Sequence, residues 1–157
     1  AFVLDKYAKD IPCVHMIRDP RDSVAELVKV GREHSAKWPR FDDLAFVVPF
    51  VIEILDTVDG YRGREGHLIV NLDEMVERPA NKVSEILDFV DLNHDNDMVE
   101  SMIGNLSTSV VAREDEKWKE GFGDRIKKIP TQYAEMFTDE EKKYIESTLE
   151  KNGWLSI

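Results

Sequence analysis

The sequence predicts an α/β fold in which short parallel strands alternate with helices. Three observations carry this. Cys13-Val14-His15-Met16-Ile17 and Leu68-Ile69-Val70 are brief apolar runs, too short and too apolar for exposed hairpin arms. Helical patterns with apolar residues three and four apart separate and follow them. The last of these helices is framed by start and stop signals at Thr138 and Gly153. The 157 residues are expected to form one domain over 1–157. A chain of this length buries roughly 68–70% of its unfolded surface.

Taken in order, the first strand breaks at Arg18-Asp19-Pro20-Arg21-Asp22, where Pro20 fixes φ and lacks an N–H. Asp22 is the expected cap of the next helix, with Val24, Leu27 and Val28 inward, fading near His34 to Pro39. Phe41 to Val58 reads as a very apolar second helix, in which Pro49 predicts a kink or a later start. Gly60, Gly63 and Gly66 mark a loop before the second strand. Pro79 opens a third helix with Val83, Ile86, Leu87 and Val90 inward. A short helix is expected from Asp97 to Ile103, then a long loop from Ser107 to Pro130. Thr138 and Glu141 fit a capping box for the final helix. Two strands are few for a complete sheet, so the chain is expected to begin midway through its fold.

Charge narrows the function classes. The formal net charge of −11 argues against broad nucleic-acid binding, which needs Lys and Arg to neutralise phosphates. A small anionic ligand remains compatible, because a local site can oppose the global field. Cys13 is the single cysteine, so no internal disulfide forms, and its apolar setting reads as a buried small hydrophobe. That count and the lack of a leader pattern favour a cytoplasmic setting, although an upstream segment is free to carry a leader or an anchor. No apolar run reaches the ~18 residues that span a membrane.

The stretch richest in chemistry is His15 to Asp22. A strand ends, Arg18 follows, and a helix begins. A guanidinium presents a planar fork of donors that matches phosphate. A helix start adds free N–H groups and a positive dipole end. Ligands of open α/β sheets bind at the carboxyl ends of strands. Arg18 with the start of the helix is therefore a candidate anion site. The plainer reading is that Arg18 and Arg21 pair with Asp19 and Asp22 and cap the helix.

This run resembles the 3′-phosphate motif of sulfotransferases that use 3′-phosphoadenosine 5′-phosphosulfate (PAPS): an apolar strand, Arg-Asp-Pro-Arg-Asp, then a helix. Leu68 to Pro79 is similar to that family's later strand, acidic turn and helix-opening proline, and Ile86 to Leu92 to the helix end that follows. Lys119-Glu120-Gly121-Phe122-Gly123-Asp124 is similar to the loop that closes over the 3′-phosphate. Thr138 to Trp154 resembles the terminal helix, and Lys127 through Glu135 a short dimer-forming segment.

The resemblance implies a sheet of the P-loop nucleotide-binding type, flanked by helices and represented here by its C-terminal part. It implies PAPS as cofactor, with Arg18, Ser23, Lys119 and Gly121 binding it. It implies transfer of a sulfuryl group to a hydroxyl or amine on a small molecule or glycan, and a homodimer. The family's usual 3′-phosphate serine is replaced here by Glu26, with Ser23 one turn earlier as the substitute. Leu72 stands where a tyrosine near adenine is frequent, Lys119 where arginine is usual, and Arg125 where tryptophan is common. No Gly-x-x-x-x-Gly-Lys-Ser/Thr loop and no recognisable base occur in the chain, so the catalytic residues stay unassigned. The alternative is a non-catalytic fragment or interaction module of the same fold.

Other features read as structural. His15 is taken as a partly buried strand histidine. Asp91 to Asp97 lacks the glycine and the glutamate of a calcium loop and reads as a helix-to-helix turn with an Asp cap. His34, His67 and His94 have no zinc-ligand spacing.

Overall fold

The computed structural model describes residues 11–34, 37, 40–108 and 133–155, with the backbone alone for 104–108. The architecture is mixed α/β, mostly helical with a small two-stranded parallel sheet. The chain divides into two compact units, one drawn from Ala1–Ile17 and Gly60–Lys128, the other from Arg18–Asp59 and Ile129–Ile157.

In the first unit, β1 (Cys13–Ile17) and β2 (His67–Asn71) pair in parallel, with Cys13 opposite His67 and His15 opposite Ile69. Parallel pairing agrees with the expected alternation of strands and helices. The chain enters β2 through turns at Gly63 and Gly66, whose φ values of 74° and 75° suit glycine. Asn71 then caps α1 (residues Leu72–Glu77) by accepting from the Asp73 and Glu74 amides, so the expected acidic turn is a six-residue helix. Next come α2 (Pro79–Phe89), with its proline in the first turn as expected, and α3 (Asn96–Thr108). The latter runs past the expected end at Ile103. Val83, Leu87 and Val99 form a small core, joined by Met75 and Ile103.

Helix α2 ends in a left-handed stop. The Asp91 amide donates to Asp88 O and the Leu92 amide to Leu87 O, while Asp91 adopts φ 56°. Asp95 Oδ1 then accepts from the Met98 amide at 2.8 Å. The segment that superficially resembles a calcium loop is thus a helix-to-helix turn with an Asp cap, as expected.

In the second unit, α4 (Pro20–Glu33), α5 (Leu44–Asp59) and α6 (Asp139–Lys151) pack on one another. Val24 and Val28 of α4, Val47 and Val48 of α5, and Ile145 and Leu149 of α6 are fully buried. Gly31 lies so close to the Phe41 backbone that any side chain there would collide with it. Helix α5 begins at Leu44 rather than Phe41, because Asp43 Oδ1 caps the Ala45 amide at 2.9 Å. Pro49 lies inside α5 on its exposed side, where the helical N–H it lacks is least costly. Residues 133–136 form a helical turn ahead of α6. The expected capping box of Thr138 and Glu141 is present. Gly153, at φ 81°, ends α6, and the Trp154 indole donates to Asp56 Oδ1 at 2.8 Å.

Candidate functional site

The candidate anion site is built at the start of α4. The expectation that Asp22 caps this helix is corrected: Asp19 is the cap, and Pro20 is the first helical residue. The reason is local. Proline is preset for the first helical position and needs no N–H there, so it starts the helix as well as ending the strand. Asp19 Oδ1 accepts from the Arg21 amide at 2.8 Å, and the Asp19 carbonyl accepts from the Asp22 and Ser23 amides at 3.1 and 3.2 Å. The free N–H groups expected at this helix start are therefore already engaged within the first turn. Only the dipole and the side chains remain to meet an anion.

Arg21 folds back onto Asp19 in a bidentate ion pair. Burial pushes the Asp19 carboxyl up, but the hydrogen bonds and charge of Arg21 outweigh it and hold the carboxyl below its ordinary value. The same bonds raise Arg21. The Arg21 guanidinium lies 5.9 Å from the Tyr133 ring centre, and Tyr133 donates to Glu146 Oε1 at 3.1 Å. Burial and the Glu146 carboxylate both push that phenol up. Arg21 is thereby committed to the packing of α4 near α6.

Arg18 is placed differently. Its Nη2 lies 3.5 Å from Asp22 Oδ2, and its side chain is 21% exposed. Its Nε is buried and finds no hydrogen-bond partner among the described residues. A buried donor without an acceptor costs ~1–3 kcal/mol, so this is the position at which an added acceptor gains most. Asp22, offered by the sequence both as a cap and as an ion-pair partner, is the buried counter-charge of Arg18.

Ser23 lies on the next residue of α4, and its hydroxyl points to the Asp19 carbonyl at 3.4 Å. Glu26 is exposed, so its carboxylate is turned to solvent. Leu72 is half-buried at the start of α1. Lys119 and Gly121, with Arg125 and residues 127–132 of the segment from Lys127 to Glu135, lie outside the described residues. Arg18 sits just ahead of α4 and Ser23 in its first turn, and neither of the other two expected ligands is among the described residues.

A second cluster sits in the first unit. His15 Nε2 and His67 Nδ1 are 2.9 Å apart, and Tyr61 stacks on both rings with centroids at 4.9 and 4.3 Å. The Arg64 guanidinium lies over the Tyr61 ring, 5.1 Å from its centre. Burial and the neighbouring His67 lower His15. His15 is a packed strand residue, in agreement with the sequence reading. Among the described residues no group of three or more His, Cys, Asp or Glu side chains could hold a metal, and no helix is long and apolar enough to cross a membrane.

No family model, curated protein or solved structure matches the chain.

Proposed function

We propose that the chain is the C-terminal part of a PAPS-dependent sulfotransferase of the P-loop nucleotide-binding type, and that Arg18 holds the 3′-phosphate of the donor. The observation that carries this reading is the buried Arg18 Nε with no acceptor beside it among the described residues. A phosphate oxygen would satisfy it, and the fork of guanidinium donors suits a dianion. The Ser23 hydroxyl would turn from a backbone carbonyl to a second phosphate oxygen, a rotation about one bond. Exposed Glu26 leaves room for the charge. The family resemblance adds Lys119 and Gly121 as further phosphate ligands. The donor would supply the sulfuryl group, and the acceptor would be a hydroxyl or amine of a small molecule or glycan.

The Arg18–Asp22 contact favours a second reading. With its charge already met inside the helix, the same fold serves as a non-catalytic interaction module, able to self-associate. Calorimetric titration with 3′,5′-adenosine bisphosphate separates the two. Micromolar binding that is lost in Arg18→Ala supports the enzyme reading. Absence of heat and of a melting shift at millimolar nucleotide supports the module.

A further inference from the structure

The turn between α2 and α3 holds a serine, a histidine and an aspartate in a nucleophile–base arrangement. Ser84 Oγ lies 2.6 Å from His94 Nε2. His94 Nδ1 lies 3.1 Å from the Leu92 carbonyl, which can only accept, so Nδ1 carries the proton and Nε2 presents its lone pair to the Ser84 hydroxyl. Asp88 Oδ1 stands 3.7 Å from the same Nδ1. Helix α2 puts Ser84 and Asp88 on one face, four residues apart. The left-handed stop at Asp91 then brings the chain back so that His94 lies against that face. The His94 side chain is only 13% exposed, whereas that of Asp88 is 74% exposed, so the base is held while one side of the group stays open.

We propose that Ser84 is a base-assisted nucleophile that takes an acyl group from a small activated carboxylic ester. Ser84 Oγ attacks the ester carbonyl and forms a C–O bond. Its proton passes to His94 Nε2, the bond to the leaving oxygen breaks, and that oxygen takes the proton from His94. Water, deprotonated by the same nitrogen, then releases the acid and restores Ser84. Ser84 lies inside α2, where backbone amides are engaged in the helix, so rate acceleration rests on base assistance, of the order of 10²–10⁴-fold. This activity is independent of the proposed nucleotide site.

The test uses the intact chain, p-nitrophenyl acetate, and peptide mapping by mass spectrometry. Ser147 on α6 is the internal reference, because it is exposed and its hydroxyl donates to the Tyr144 carbonyl at 3.2 Å, with no base beside it among the described residues. Acetylation of Ser84 should exceed that of Ser147 at least tenfold. It should fall to the Ser147 level in His94→Gln, whose amide can still accept from the serine but cannot take its proton, with the circular dichroism unchanged. Equal acetylation of the two serines in the native chain would overturn the proposal, whatever the fate of the variant. So would undiminished acetylation in His94→Gln.

Discussion

Arg18 Nη2, two residues ahead of α4, lies 3.5 Å from Asp22 Oδ2 in its first turn, and Asp22 is almost fully buried. This contact decides how the helix start behaves. It neutralises the arginine without using its Nε, so it competes with an anion for the same guanidinium. Replacing Asp22 by Asn should therefore destabilise the fold and strengthen phosphate binding together. The expected loss lies between the ~1 kcal/mol of an exposed pair and the ~3–5 kcal/mol of a broken buried one. Urea denaturation reads the first effect, and calorimetry with 3′,5′-adenosine bisphosphate reads the second.

The left-handed stop after α2 uses Asp91 where glycine costs least. An L-residue at φ 56° is strained relative to glycine, and Asp91 is exposed. Asp91→Gly should raise stability by about 0.5–1 kcal/mol. The matching Gly153→Ala change after α6, at φ 81°, should lower it by a similar amount. Paired denaturant melts check both signs.

Gly31 makes a sharper prediction. A methyl group there would overlap the Phe41 carbonyl and the Asp42 amide, which are backbone and cannot swing aside. Gly31→Ala should cost about 1–3 kcal/mol despite the gain in helix propensity. A thermal melt would expose the idea as mistaken if the variant were as stable as the parent.

The His15–His67–Tyr61 stack predicts a pH dependence near neutrality. Burial and His67 depress His15 below its ordinary value of 6.5, so the unfolded chain binds that proton more readily. The stability it contributes is complete above about pH 6.5 and is lost as pH falls through the depressed value. His15→Phe, which keeps the stack, should flatten this part of the stability curve. Asp19 acts at lower pH by the same sign. Its depressed carboxyl contributes stability above the ordinary value of 3.8 that is lost on further acidification. Melting temperatures across both windows provide the check.

Much of this fold was legible locally. Thr138, Glu141 and Gly153 marked both ends of α6, and Pro79 the start of α2, because caps are written within four or five residues. The six-residue helix α1 was read as a turn since Leu72 to Glu77 is too short to show periodicity. Asp19 and Asp22 are both good caps. Choosing between them depended on reading Pro20 as a start instead of a break. The contacts that matter for chemistry were less visible. His15 meets His67 only through the parallel register, across 52 residues. His94 meets Ser84 only after the chain reverses at Asp91. No pattern of residue types announces either.

The account rests most heavily on Arg18 as a reader of a ribose phosphate. The direct measurement is the affinity of the native chain and of Arg18→Ala for 3′,5′-adenosine bisphosphate and for adenosine 5′-phosphate, which lacks the 3′ group. A charge-assisted hydrogen bond is worth ~1.5–3 kcal/mol, so the native chain should prefer the bisphosphate about 10- to 100-fold, and the preference should vanish in the variant. Equal affinity of the native chain for the two nucleotides would contradict the account.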